Sequence, residues 1–172
     1  MRLRTFIHYI YLIKLKRNMN YINITSPDIN NGPGCRVTIW FAGCPHHCPG
    51  CHNPHTWDYN TGKVFDENTW EEIRYLLRKP YIKGLTLSGG DPLGQSKEDL
   101  LYLYDFVTWI RKEMPDKDIW LYTGYKYEDL NELQLRITNE CDVVVDGPYV
   151  ESLRDVTLKF RGSSNQRIIE NK

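Results

Sequence analysis

The 172-residue chain has no excess of either charge, because 22 lysines and arginines balance 22 aspartates and glutamates. A nucleic-acid-binding protein usually has a basic excess or a basic stripe, and neither is present here, so we predict no nucleic-acid partner. Internal repeats, low-complexity tracts and a clear internal domain boundary are also missing from the sequence. The length suffices for one domain with its own core and is short for two.

Hydrophobic runs of membrane-spanning length are missing as well. The uncharged stretch at residues 5–13 is too short to cross a bilayer, and no small-residue cleavage site of a signal peptide follows it. We predict no membrane partner, with a membrane-surface helix as the alternative for this apolar and basic segment. We interpret residues 1–18 as an N-terminal extension that is disordered or lies upstream of a true start at Met19. Residues 19–172 then form the single domain.

A paired set of cysteines is absent. The chain has five cysteines, an odd number, and three of them fall within eight residues. Cysteines so close together cannot build a secreted disulfide scaffold. The pattern therefore indicates the reducing environment of the cytoplasm and a role in metal binding.

Beyond Met19 the sequence contains alternating strand and helix patterns. Strands are predicted at residues 36–42, 85–88, 119–122, 143–145 and 156–160. Helices are predicted after the N-caps Asn68 and Ser96 and around residues 130–137. Such alternation predicts an α/β fold whose mostly parallel sheet has right-handed crossovers. A complete eight-unit barrel needs about 250 residues, so we expect an open, partial (β/α) barrel.

The most informative segment is a loop with the spacing C-x3-C-x2-C, formed by Cys44, Cys48 and Cys51. Thiolates are ligands for iron–sulfur clusters and for zinc, so the spacing alone leaves both open. The zinc alternative would use one histidine of the loop as a fourth ligand, either His46, His47 or His52. Structural zinc sites usually combine two pairs of ligands from separate elements. No second pair exists here, which favours an iron–sulfur cluster.

Two further cysteines stand apart from this loop. We interpret Cys35 and Cys141 as buried or half-buried thiols, with Cys35 as a doubtful additional ligand. We interpret His46 and His47 as solvated loop residues, and we leave His52 open between a ligand contact and an exposed or packing residue.

The sequence Gly89-Gly90-Asp91-Pro92 follows the predicted strand 85–88. A glycine pair lets the backbone approach a ligand closely, and ligands of α/β sheets bind at the carboxyl ends of strands. Taken alone, this sequence is more often only a turn.

The three-cysteine loop after the first strand of a (β/α) chain resembles the signature of the radical S-adenosylmethionine superfamily, and the glycine-pair segment resembles that superfamily's contact to the amino group of S-adenosylmethionine. The resemblance implies a partial barrel of the radical S-adenosylmethionine type. It also implies one 4Fe-4S cluster with three ligands, Cys44, Cys48 and Cys51, whose open fourth iron binds S-adenosylmethionine. The implied contacts to S-adenosylmethionine are Gly50, Cys51, His52, Gly89, Gly90 and Asp91.

A narrower resemblance covers residues 21–168 and leaves the first eighteen residues unmatched. It consists of six segments in order: residues 31–36, 44–57, 88–92, 119–125, 146–147 and 161–166. In these six segments the chain is similar to the activating proteins of anaerobic ribonucleotide reductase. The similarity implies an oxidoreductase that takes an electron from a flavodoxin-like donor, cleaves S-adenosylmethionine and generates a glycyl radical on the reductase.

Two alternatives remain open from the sequence. One is a small radical enzyme that acts on a small molecule, such as the deazapurine-forming enzymes with similarly shortened barrels. The other is a zinc-stabilised interaction domain without catalysis. For Asp146 and Arg161 we consider contacts to a nucleotide or a partner and buried salt bridges equally.

Overall fold

The computed structural model describes residues 19–171, which form one mixed sheet with three α-helices. The interpretation of residues 1–18 therefore lies outside the described residues. The strands are β1 Asn20–Asp28, β2 Cys35–Phe41, β3 Lys63–Val64, β4 Ile82–Gly89, β5 Asp118–Tyr122, β6 Val143–Asp146 and β7 Arg167–Glu170. The helices are α1 Glu67–Leu77, α2 Lys97–Glu113 and α3 Glu132–Asn139. No helix of the described part is long and apolar enough to cross a membrane.

The sheet is open, with the strand order β3-β1-β2-β4-β5-β6-β7. Its four central strands β2, β4, β5 and β6 are parallel. The expectation of a mostly parallel sheet is wrong, because the other three pairings, β1 with β2, β1 with β3 and β6 with β7, are antiparallel. For β1 and β2 the physical reason is their short connection, from residue 29 to residue 34. So short a link forms a hairpin, whereas a parallel pair needs a crossover of about a dozen residues or more.

The strand predicted at residues 156–160 is also wrong, since these residues form turns. The carboxylate of Asp155 accepts hydrogen bonds from the backbone N–H of Thr157 at 2.8 Å and from its hydroxyl. Such a side-chain-to-backbone bond stabilises a turn in place of a strand. The last strand is instead β7, which pairs with β6.

The helix starts follow local capping chemistry. The predicted N-cap Ser96 is confirmed, since its hydroxyl accepts from the backbone N–H of Asp99 at 3.2 Å. The predicted N-cap Asn68 is wrong, because the cap of α1 is Asp66, which accepts from Thr69 at 3.0 Å. Helix α3 begins with a capping box between Asn131 and Gln134.

The two faces of the sheet differ in polarity, because side chains alternate along each strand. One face packs against all three helices in the main hydrophobic core and carries side chains that are 0% exposed: Val37, Ile39, Phe41, Leu85, Leu87, Ile119 and Leu121. We call it the helix face. The opposite face carries Arg36, Thr38, Trp40, Thr86, Ser88, Trp120 and Tyr122. We call it the cleft face, since a cleft lies along it.

A buried cation, Arg36, binds several groups of the cleft face. Arg36 is 0% exposed and donates to the hydroxyl of Thr86 at 2.7 Å and the carbonyl of Leu85 at 2.8 Å. Its charge is balanced by Asp118, 2.6 Å away. The ring of Trp120 lies below the guanidinium, and Phe160 packs edge-on against that ring at 5.5 Å. The chain around Phe160 therefore covers part of this face.

Candidate functional site

The cysteine loop leaves the carboxyl end of β2 and is fixed at its start by backbone hydrogen bonds. The N–H of Gly43 donates to the carbonyl of Thr56 at 2.7 Å, and the N–H of Cys44 donates to that of Trp57 at 3.2 Å. On the other side, the N–H of Asp91 donates to the carbonyl of Gly43 at 2.8 Å. The first cysteine is therefore held between two other segments of the chain.

The glycine pair at the end of β4 packs directly against this loop. A Cβ on Gly90 would lie 2.3 Å from the carbonyl oxygen of Gly43. A Cβ on Gly89, whose φ is +107°, would lie 2.4 Å from the backbone nitrogen of Phe41. Gly90 therefore requires glycine for its contact with the start of the loop, and Gly89 requires it for its contact with β2 and its positive φ. The contact of this pair with a ligand stays a prediction.

The three loop thiols differ in burial. Cys44 is buried, whereas Cys48 and Cys51 are half-buried. Burial raises the pKa of the Cys44 thiol to about 11, although the backbone N–H groups of His46 and His47 donate to its sulfur and oppose that rise. The sulfur of Cys51 accepts a hydrogen bond from the backbone N–H of Asn53 at 3.4 Å. Two of the three sulfurs thus have backbone donors.

The two remaining cysteines are buried or half-buried thiols, as predicted, and both are separate from the loop. Cys141 is buried and donates to the carbonyl of Ile137 at 3.4 Å. Cys35 is half-buried at the opposite end of β2, six residues before Phe41. At the usual rise of a strand, that places it about 20 Å from the end that carries the loop. Cys35 is therefore too distant to join the loop cysteines.

The three loop histidines occupy different surroundings. His46 is not a solvated residue as predicted, because its side chain is 17% exposed and its Nε2 lies 2.6 Å from the carboxylate of Asp91. His47 is exposed and its ring lies 4.7 Å from that of Trp57. His52 is exposed, with its ring 5.6 Å from that of Tyr149. Within residues 19–171, no three His, Cys, Asp or Glu side chains are grouped to hold a single metal ion.

A cleft of about 670 Å³ lies beside the loop. The loop contributes Cys51, His52 and Asn53, and the ends of β2, β4 and β5 contribute Trp40, Ser88 and Tyr122. The opposite wall belongs to residues 149–166, which include Tyr149, Arg161 and Gln166. The cleft therefore joins the cysteine loop to the carboxyl ends of three parallel strands, where α/β sheets bind ligands.

Two polar groups of the cleft wall have no hydrogen-bond partner among the described residues, namely the hydroxyl of Tyr122 and the Nε of Arg161. Burial raises the pKa of Tyr122 above its ordinary value. Buried polar atoms are rarely left unpaired in a folded protein, so these two groups mark where a ligand could bind. Asp146 differs from Arg161, because its carboxylate is paired with Arg167 away from the cleft lining.

Sequence reasoning missed most of the cleft wall, including Trp40, Tyr122 and Phe160. One signal was available in β2, where Arg36, Thr38 and Trp40 alternate with the aliphatic residues Val37 and Ile39. Such alternation indicates a strand with two different faces.

Comparison with known proteins agrees with this arrangement. The family model described as a 4Fe-4S single cluster domain matches residues 30–169. The anaerobic ribonucleoside-triphosphate reductase-activating protein of Enterobacteria phage T4 is 46% identical over 154 residues, which are 89% of this chain and 95% of the phage protein. The protein of the same name from Escherichia coli K12 is 46% identical over 86% of this chain and 96% of its own length. That from Haemophilus influenzae is 41% identical over 87% and 97%.

An open sheet with helices on one face and a three-cysteine loop beside a cleft, together with the matching family model, defines a 4Fe-4S single-cluster domain. At 40–46% identity over most of its length, the chain belongs to the family of anaerobic ribonucleoside-triphosphate reductase-activating proteins.

Proposed function

We propose that this chain activates an anaerobic ribonucleotide reductase by cleaving S-adenosylmethionine at a 4Fe-4S cluster held by Cys44, Cys48 and Cys51. The observation that carries the proposal is the position of this loop, which opens into a cleft at the carboxyl ends of β2, β4 and β5. We also propose that the fold is a partial barrel of the radical S-adenosylmethionine type. The parallel strands follow in chain order and all three helices lie on one face, which supports a curved sheet that encloses the cleft.

The residues of the loop suit a cluster better than a zinc ion. The sulfurs of Cys44 and Cys51 accept backbone hydrogen bonds, an arrangement that tunes iron–sulfur clusters. A Cys3His zinc site needs a histidine, but His46 is bound to Asp91 and the rings of His47 and His52 lie against Trp57 and Tyr149. Three thiolates without a fourth leave one iron of a cubane open for a ligand.

Cys44, Cys48 and Cys51 would hold the cluster, which would supply one electron to the sulfonium of S-adenosylmethionine. Cleavage of one carbon–sulfur bond would then give methionine and a 5′-deoxyadenosyl radical. This radical would take a hydrogen atom from a glycine α-carbon of the reductase, giving 5′-deoxyadenosine and the glycyl radical. The residues of this chain would bind the cluster and orient S-adenosylmethionine beside it. Burial keeps the thiol of Cys44 protonated at neutral pH, so that proton must leave when this sulfur becomes a ligand. Trp40 and Phe160 provide apolar walls beside the strand ends.

We propose that S-adenosylmethionine contacts Gly50, Cys51, His52 and the segment Gly89-Gly90-Asp91. Cys51 and His52 line the cleft, and Gly89 and Gly90 are half-buried next to it. The side chain of Asp91 is 0% exposed and both its oxygens have partners inside the protein. A contact from Asp91 would therefore come from its backbone carbonyl, in addition to the hydrogen bonds that this carbonyl already accepts, because its N–H donates to Gly43.

The protein substrate would enter from the rim of the cleft. Val156 is 81% exposed and Leu153 is 43% exposed on the segment that forms the outer wall. Exposed apolar side chains at a site rim favour contact with another protein. We therefore propose the reductase as the substrate, a flavodoxin-like protein as the electron donor and the cytoplasm as the location.

Substitution of single cysteines tests the cluster assignment. After anaerobic reconstitution, Cys44→Ala, Cys48→Ala and Cys51→Ala should each lose the iron and sulfide of the cluster, whereas Cys35→Ala and Cys141→Ala should retain them. A brown protein with broad visible absorption indicates an iron–sulfur cluster, and a colourless one indicates zinc. Iron loss in Cys35→Ala with retention in Cys48→Ala would contradict the assignment.

The reaction itself is tested with the reconstituted, reduced chain. Incubation with S-adenosylmethionine should produce 5′-deoxyadenosine and methionine. Addition of the cognate reductase should produce an electron paramagnetic resonance doublet from the remaining glycyl α-hydrogen, and oxygen should then cut the reductase chain at that glycine. Formation of 5′-deoxyadenosine without the doublet or the cut would instead indicate a small-molecule substrate.

A further inference from the structure

The carboxylate of Asp91 joins three separate parts of the chain. Its Oδ1 accepts from the backbone N–H of Leu93 at 2.8 Å. Its Oδ2 lies 2.6 Å from Nε2 of His46 and accepts from the hydroxyl of Thr123 at 3.0 Å and the N–H of Gly124 at 2.9 Å. The cysteine loop is thereby tied to the end of β4 and to the segment after β5.

The ring of His46 is confined on its other sides. It packs edge-on against the ring of Tyr125 at 4.6 Å. A Cβ on Gly124 would lie 2.5 Å from Cδ2 of His46, so the ring lies directly on that glycine. A side chain held by a buried carboxylate and by packing has little rotational freedom. The position of the His46 ring therefore fixes the backbone to which it is attached.

That backbone is the part of the loop closest to the first thiol. His46 follows Cys44 by two residues, and its N–H donates to the Cys44 sulfur. Hydrogen bonds to the sulfurs help to set the reduction potential of an iron–sulfur cluster. Partners behind the ligands also hold those ligands in place at metal sites generally.

We propose that His46 and Asp91 are positioning residues, which hold the cysteine loop in its ligand-binding conformation before a cluster is bound and keep the His46 N–H directed at Cys44. The proposal rests on the assignment of Cys44 as a cluster ligand. It gives Asp91 a role through its side chain that a direct contact with S-adenosylmethionine would not need.

The first test uses the ligand-free full chain and requires no cluster. In His46→Ala and Asp91→Asn, the backbone amides of residues 43–52 should exchange with deuterium about tenfold faster or more than in the wild type, because the loop opens more often. His46→Gln should restore most of the protection, since its amide N–H can donate to Asp91. The matched control is His47→Asn, which changes an adjacent exposed side chain and should leave the exchange at the wild-type rate.

The second test measures the reduction potential of the reconstituted cluster. Loss of a hydrogen bond to sulfur destabilises the more negative, reduced state. The ratio of reduced to oxidised cluster at a fixed potential should therefore fall about tenfold in His46→Ala, which corresponds to about 59 mV for a one-electron couple. His46→Gln should lie between this variant and the wild type, and His47→Asn should match the wild type.

The outcomes separate this proposal from the proposed function. If the wild-type chain takes up no iron, the function fails, while the exchange measurement still tests the link between His46 and Asp91. Unchanged exchange and potential in both variants would overturn the positioning role. So would weaker binding of S-adenosylmethionine to Asp91→Asn with wild-type exchange in the loop. If Asp91→Asn does not fold, Thr123→Val removes only one of the partners and should show an intermediate increase in exchange.

Discussion

The helix face and the cleft face of the sheet are built from the same strands, yet they differ in almost every property. On β4, Leu87 lies in the main core and is 0% exposed, while its neighbour Ser88 lines the cleft. On β5, Leu121 and Tyr122 have the same relation. Because successive side chains point to opposite faces, one strand supplies both the stability of the fold and the wall of the site.

The difference in polarity between the two faces shows that a small domain can bury polar side chains on one side of its sheet and apolar side chains on the other. The helix face buries aliphatic and aromatic side chains, each of which contributes about 1.5–3 kcal/mol of transfer free energy when it is fully buried. The cleft face buries Arg36 and Thr86, whose hydrogen bonds replace those to water and contribute little net free energy. We therefore expect substitutions on the helix face to lower stability through lost packing, and those on the cleft face to affect mainly ligand binding unless they leave a buried charge poorly paired.

The largest effect should come from Leu87→Ala on the helix face. Removing this fully buried leucine side chain should lower the free energy of unfolding by about 4–5 kcal/mol, the upper end of the range for leucine, since a cavity remains in the main hydrophobic core. Urea unfolding of the ligand-free chain measures this loss. The matched control is Ser88→Ala, which should lose about 1 kcal/mol or less. Equal losses in the two variants would break the comparison between the faces.

A smaller loss, about 3 kcal/mol, should follow from Arg36→Met on the cleft face. The substitution leaves the carboxylate of Asp118 with only Lys83, 4.0 Å away, as a cationic partner, and Thr86 and the carbonyl of Leu85 lose a donor. The value lies at the lower end of that expected for a buried pair, because Asp118 is 22% exposed and water can reach it. Urea unfolding again gives the measurement. A loss as large as that of Leu87→Ala would mean that the cleft face contributes as much to the free energy of unfolding as the helix face does.

A third prediction concerns an ion pair at the edge of the sheet, between β6 and β7. Burial raises the pKa of the Asp146 carboxyl, but hydrogen bonds from Arg167 and from the N–H of Tyr127 outweigh it and hold that pKa below its ordinary value. A carboxyl with a lowered pKa stabilises the folded chain above its unfolded pKa. That stabilisation is lost as the pH falls through the folded value.

The free energy of unfolding should therefore fall when the pH is lowered below the range in which aspartates ordinarily titrate. The fall should be smaller in Arg167→Gln than in the wild type. At neutral pH the variant should lose about 1 kcal/mol, because Arg167 is half-exposed and its pair is screened by water. Denaturation at several pH values measures both slopes. Identical slopes in the two proteins would show that another carboxyl governs the acid response.

The comparison also explains which parts of the molecule could be predicted from the sequence. The central strands β2, β4, β5 and β6 contain runs rich in β-branched, aliphatic and aromatic residues, and local capping by Ser96 marks α2. Strand β1, the second strand from one edge of the sheet, was missed because it has asparagine, serine and half-buried positions instead of such a run. The position of β1 in the sheet depends on its pairing with β2, and the β-propensity of its residues does not determine which strand it pairs with.

The candidate site likewise has one part that the sequence predicts and another that only the fold assembles. The cysteine loop could be recognised because its three thiols fall within eight residues. The cleft could not, since its lining extends from Thr25 to Gln166 and is assembled only by the fold. His46 was misjudged for the same reason, because its partner Asp91 lies 45 residues away in the sequence.

The smallest effect on stability should come from Tyr122→Phe, and this variant tests the comparison most sharply. The hydroxyl of Tyr122 is buried in the cleft wall without a hydrogen-bond partner among the described residues. Removing an unpaired polar group should leave the free energy of unfolding unchanged or raise it by about 1 kcal/mol, because the cost of its desolvation disappears. If a bound ligand satisfies this hydroxyl, affinity for S-adenosylmethionine should fall by about tenfold, the worth of one hydrogen bond. Calorimetry with the reconstituted chain measures the affinity. Loss of stability with wild-type affinity would assign Tyr122 to the fold and not to the site.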